Sequence, residues 1–139
     1  LTQAQWEREY QDIYDYVLCD RSLADNYIYA KEAYKKEGQE LPEWIEPFVL
    51  HHTESYQYLF KTPVVPHILV DDSRRNTDKD WQREMDQNIN RYLKENNIPF
   101  IELPISDANS DEDIVEYATR QAKFMANKIV DMDVQTTIF

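Results

Sequence analysis

The sequence holds one glycine, Gly38, in 139 residues. A domain of this length ordinarily carries about ten. Glycine accepts left-handed backbone without a steric penalty and lets a ligand approach the main chain closely. A phosphate-binding loop built on repeated glycines therefore cannot be written from these residues, whether the G-x-x-x-x-G-K-S/T loop or the G-x-G-x-x-G dinucleotide turn. Where the chain needs left-handed backbone elsewhere, Asn must serve, and Asn96-Asn97 stands where a long helix should end.

Charge removes further classes. The chain has 15 Lys and Arg against 27 Asp and Glu, a formal charge of −12. Nucleic acids and anionic membranes are bound through a positive field, so neither is an expected partner. Hydrophobic residues make up 42% of the chain and aromatics 13%, too apolar for an acidic disordered segment and enough for one sizeable core. The single cysteine, Cys19, excludes an internal disulfide framework and points to a reducing compartment. Apolar runs are far shorter than a membrane span and no signal peptide opens the chain, so a cytoplasmic location is expected. The first residue is Leu1 rather than Met, which leads us to expect a processed chain or a piece of a longer one.

Periodicity sets the order of elements. Trp6, Tyr10 and Ile13 recur at helical spacing from Thr2 onward. Tyr16-Val17-Leu18-Cys19 is a continuous apolar run bounded by polar residues, the pattern of a strand buried on both faces, with Cys19 a small core residue. Ser22 with Asp25 signals an N-cap, Leu23, Tyr27, Ala30 and Tyr34 form the next stripe, and Gly38 falls at a helix C′ position. A short helix is predicted over 47–55, a strand over 57–61, and a proline-bearing loop from Thr62 to Asn76. Thr77 or Asp78 should cap a long helix carrying Trp81, Met85, Ile89, Tyr92 and Leu93 on one face. A strand over 98–103 follows, then a helix capped by Ser110 with Asp113 and striped by Ile114, Ala118, Ala122, Met125 and Ile129. Short apolar strands alternating with long helices predict an α/β fold with a parallel sheet flanked by helices, one domain over 1–129 and a loose tail over 130–139.

In open parallel sheets ligands collect at the carboxyl ends of strands, and two polar clusters fall there. The first is Asp20-Arg21-Ser22 with Asp25. A carboxylate so placed can hold Mg²⁺ through water or accept a substrate proton, and an adjacent Arg can neutralise phosphate oxygens. The plainer reading is a local Asp20–Arg21 pair with Ser22 merely capping a helix. The second cluster, Asp71-Asp72-Ser73-Arg74-Arg75, places two arginines in an acidic chain and suits closure over a polyphosphate. Its plainer reading is a solvated loop making surface pairs with its own aspartates. His51 and His52 are adjacent and diverge by about 100° on a helix, so they cannot readily share a metal, and His67 is isolated.

Together the two clusters carry a resemblance. The run from Asp15 through Asp20-Arg21-Ser22 and Asp25 to Tyr29-Ala30 resembles the DRS…D…YA segment of P-loop kinase-like ATPases. The nearest group is the AAA-type ATP-binding family that includes ribosylnicotinamide kinase domains. Val70 to Asp78 resembles that family's lid, D-D-G-x-R-S-x-D, with Ser73 in place of the lid glycine. The lid segment is followed by an amphipathic helix and the strand-like Ile98–Leu103, and the ordered match spans roughly residues 5–128. The resemblance implies a P-loop nucleotide kinase-like fold, incomplete at the N-terminus and lacking the Walker A segment. The absent strand would lie between those of residues 16–19 and 58–60. It implies, for the complete protein, a Mg²⁺-dependent phosphotransferase acting on a nucleoside or similar small metabolite, or an ATPase of that build, with ATP and Mg²⁺ as cofactors, a nucleotide or nucleoside as small-molecule partner, and self-association left open. Asp20 would be the base or Mg²⁺-side carboxylate, Arg21 a phosphate contact, and Asp25 and Tyr29 substrate residues. Arg74 and Arg75 would be lid arginines, and Pro104, Ile105, Ser106 and Asp107 would lie near the adenine. A competing expectation is a non-catalytic interaction module that kept the helices and lost the nucleotide site.

Overall fold

A computed structural model describes residues 2–64, 78–105 and 112–137, the last five without their side chains. The lid cluster, with Arg74 and Arg75, and also Ser106 and Asp107, lie outside the described residues. The element order is α1 (Thr2–Gln11), α2 (Leu23–Lys36), α3 (Ile45–Thr53), β1 (Phe60–Lys61), α4 (Lys79–Glu95), β2 (Ile101–Glu102) and α5 (Ile114–Thr137). The chain divides into two compact units, Leu1–Gln57 with Gln87–Ile98, and Tyr58–Asp86 with Pro99–Phe139.

In the first unit, α2 packs on α3. Its start is fixed as the sequence predicts. The Ser22 side chain accepts from the Asp25 N–H at 3.2 Å, and Asp25 accepts from the Ser22 N–H at 2.8 Å, a complete capping box. Gly38, one residue past the C-cap, takes φ 69° and ends the helix. The buried apolar residues of this unit are Ala4, Leu23, Ala24, Tyr27, Ile28, Val49, Tyr92 and Leu93, with the Tyr27 and Tyr92 rings 5.4 Å apart. Asp78 caps α4 by accepting from the Trp81 N–H at 3.2 Å, and Asn97 takes φ 54° beyond its end, in place of glycine.

In the second unit β1 and β2 pair in parallel, Phe60 opposite Ile101 and Lys61 opposite Glu102. The Ile101 N–H donates to the Leu59 carbonyl at 2.8 Å and the Leu103 N–H to the Lys61 carbonyl at 2.9 Å. Parallel strands need a crossover, and α4 supplies it between them in the chain. Both strands lie inside the predicted segments and are shorter than them.

Five expectations are corrected. No strand forms at residues 16–19: the segment is irregular, Tyr16 is 69% and Leu18 87% exposed, and so the predicted arrangement of that strand beside an absent neighbour has no counterpart. A doubly buried strand needs partners on both edges and cover on both faces, and an apolar run cannot supply these for itself. Cys19 is accordingly exposed rather than a core residue. On α1 the inward face holds Ala4 and Glu7, while the predicted stripe residues Trp6 and Tyr10 point outward. On α5 the buried residues are Tyr117 and Gln121, whereas Ile114, Ala118 and Ala122 are exposed, so the real inward face is rotated from the predicted stripe. Gln121 is held there by donating to the Pro104 carbonyl at 3.0 Å, a tertiary bond that apolar periodicity does not register. Asp113 caps this helix through the Glu116 N–H at 2.8 Å, and the helix runs to Thr137 rather than ending near 129. Among the described residues no helix is long and apolar enough to cross a membrane.

Candidate functional site

The Asp20-Arg21-Ser22 turn sits at the entrance to α2, in the first unit. Arg21 takes φ 69°, a conformation uncommon for a residue with a side chain. The turn's downstream end is fixed by the capping box, and Asp25 Oδ2 also accepts from the Ser22 hydroxyl at 2.7 Å. One Asp25 oxygen is thus committed to the cap. The Arg21 guanidinium lies over the Tyr29 ring, its Cζ 5.1 Å from the centroid, a cation–π contact across two turns of α2. The structure therefore brings Arg21 together with Tyr29, and Asp25 together with Ser22. The Asp20 carboxylate is exposed, and no hydrogen bond or ion pair of the described residues engages it.

Behind the turn lies a buried polar cluster. Glu7 is 4% exposed and His52 2%, with Glu7 Oε2 2.6 Å from His52 Nε2. Glu7 also accepts from the Gln3 amide at 2.7 Å, and the Tyr56 hydroxyl and the Cys19 thiol lie close enough to favour its charged form. Burial pushes the Glu7 carboxyl up, but the donors from His52, Gln3, Tyr56 and Cys19 outweigh it and hold the group below its ordinary value of 4.5. The same carboxylate acts on its partners. Burial first, and then the charge of Glu7, push the Cys19 thiol up to about 11. Burial and Glu7 likewise raise the Tyr56 hydroxyl, against the Leu23 N–H that donates to it at 2.9 Å. A carboxylate and an imidazole this deeply covered cannot meet a substrate; their role is to tie α1, α3 and the turn together.

This cluster is the part sequence reasoning missed. Glu7 and His52 are 45 residues apart and neither lies in a motif. No sequence signal marked it: the periodicity of Trp6 and Tyr10 pointed to a different face of α1 from the one that Ala4 and Glu7 bury.

Of the residues the resemblance places near an adenine, Pro104 and Ile105 are described, and both belong to the second unit. The Pro104 carbonyl is occupied by Gln121, and the Ile105 side chain is 68% exposed. Among the described residues, no group of three or more His, Cys, Asp and Glu is gathered that could hold a metal ion. Mg²⁺ does not require one: it takes one or two carboxylates and keeps several waters, a demand that the exposed Asp20 carboxylate can meet.

Two parallel strands joined through a helix in the chain are compatible with an α/β nucleotide-binding domain. Comparison with family models makes the class definite: that of an AAA domain matches residues 1–110. The chain belongs to this AAA domain family, and with it to the P-loop NTPase-like, nucleotide-binding class. Domains of this class generally bind ATP and Mg²⁺. No curated protein and no solved structure gave a match.

Proposed function

We propose that this chain supplies the acceptor-side portion of a Mg²⁺-ATP-dependent phosphotransferase acting on a nucleoside or similar small metabolite. The observation that carries this reading is the Asp20-Arg21 turn, in which Arg21 is held in left-handed backbone with its guanidinium beside Tyr29. A planar guanidinium on a fixed turn offers paired donors to phosphate oxygens, and the free Asp20 carboxylate beside it can take a hydroxyl proton or a water of Mg²⁺. Mg²⁺, when bound, bridges phosphate oxygens and neutralises their charge. Asp25, through its remaining oxygen, and Tyr29 would contact the acceptor.

With one glycine the chain holds no phosphate cradle of its own, so its affinity for Mg²⁺-ATP should be millimolar at best. Backbone amide shifts during a Mg²⁺-ATP titration test the reading. Changes confined to residues 19–29 and lost in Arg21→Ala are expected. Changes that persist in Arg21→Ala would refute it.

One observation favours a second reading, an interaction module. Tyr14, Tyr16 and Leu18 expose alternate positions of an irregular segment, at 60%, 69% and 87%. If this is the function, sedimentation should show association that Leu18→Lys abolishes, with no response to nucleotide.

A further inference from the structure

Left-handed backbone at Arg21 persists only if its surroundings over-determine it. The constraint comes from α1. The Gln3 side-chain amide donates to the Arg21 carbonyl at 2.9 Å and to Glu7 Oε1 at 2.7 Å, so its two hydrogens join the turn to the buried carboxylate. The Gln3 side-chain oxygen accepts from the Asn26 amide, which anchors it to α2 as well. Glu7 is in turn fixed by His52 at 2.6 Å. After the turn, the Leu23 N–H donates to the Tyr56 hydroxyl at 2.9 Å. The carbonyl within the Asp20-Arg21-Ser22 turn is thus tied through Gln3 to the buried carboxylate, and the residue after the turn is tied to Tyr56.

We propose that Gln3 and Glu7 are positioning residues that hold Arg21 in its left-handed conformation and set its guanidinium for a phosphate group. The proposal rests on the reading of Arg21 as a phosphate contact. A surface glutamine needs none of these bonds for helix formation, and none of the residues of this latch touches the phosphate itself. Without the latch, Arg21 relaxes to ordinary backbone, its carbonyl turns, and the guanidinium leaves Tyr29.

The test is NMR on the whole 139-residue chain, with inorganic pyrophosphate as the probe. Gln3→Met keeps the length of the side chain and removes its donors. In the wild type, Arg21 should show the carbon shifts of left-handed backbone and ring-current shifts from Tyr29. In Gln3→Met both should disappear, and pyrophosphate affinity should fall about tenfold, as in Arg21→Ala. Unchanged Arg21 shifts and unchanged affinity in Gln3→Met, beside a loss in Arg21→Ala, overturn the positioning role and leave the phosphate reading standing. Equal affinity in wild type and Arg21→Ala removes the phosphate reading, and the Arg21 backbone shifts then decide the latch alone. Should Gln3→Met not fold, Asn26→Ala frees one anchor of the same amide: a partial loss of the Arg21 signature supports the latch, and no change refutes it.

Discussion

Replacing Glu7 by Gln keeps the shape of the side chain and removes the charge on which two donors converge. At neutral pH the carboxylate accepts from Gln3 on one oxygen at 2.7 Å and from His52 on the other at 2.6 Å. A hydrogen bond to a charged group contributes about 1.5–3 kcal/mol, and a donor left buried without a partner costs about 1–3 kcal/mol. Gln retains one acceptor oxygen but turns an amide toward the other donor, so one of the two must lose its partner. We expect a loss of about 2–4 kcal/mol at pH 7, a large share of the roughly 5–15 kcal/mol that stabilises a domain. The pH dependence follows from the direction of the shift. The folded-state value lies below 4.5, so the ionised carboxylate adds stability that is complete above that value and is lost as pH falls through the folded one. Urea unfolding of wild type and Glu7→Gln should therefore show a wide gap between midpoints at pH 7 that narrows below about pH 4.5. Equal midpoints at pH 7, or a gap that does not narrow in acid, would refute the account of the cluster.

Three further outcomes follow from the geometry. Cys19 is exposed, yet its thiol is raised to about 11, so iodoacetamide should modify it slowly at pH 8 and faster in Glu7→Gln, where the charge opposing the thiolate is gone. Ser22→Ala removes the side-chain half of the capping box and should lower stability by about 1 kcal/mol, read by thermal unfolding. Gly38→Ala should cost about 1 kcal/mol through backbone alone, since nothing lies within 4 Å of an added Cβ; a larger loss would mean that the helix end is packed.

What the sequence makes legible here is local. Ser22 and Asp25, Asp78, Asn97 and Gly38 announce helix ends because each satisfies or shapes backbone within a few residues of itself. The two strands and the parallel sense of the sheet were readable from two short apolar runs separated by a long amphipathic helix, but the pairing of Phe60 with Ile101 was not. The apolar run 16–19 misled because its pattern specifies what a strand would need rather than whether partners are present. Gln121 and Glu7 misled for the opposite reason: a polar side chain can face inward when a distant carbonyl or imidazole completes it, and no periodicity encodes that partner. Of the candidate site, the Asp20-Arg21 turn was legible as a motif. The latch behind it was not, because Gln3, Glu7, His52 and Tyr56 meet only after three helices have packed.

We propose that the Asp20-Arg21 turn faces a metal-bound nucleotide. Replacing Mg²⁺ by paramagnetic Mn²⁺ in an ATP titration tests it by distance, since Mn²⁺ broadens the amide signals closest to it. Mn²⁺ without nucleotide serves as the control for loose association with a chain of charge −12. We predict that Mn²⁺-ATP broadens Asp20, Arg21 and Asp25 first, beyond the effect of Mn²⁺ alone, and that Arg21→Ala removes the excess. Broadening spread over surface carboxylates and equal with and without ATP would contradict the claim.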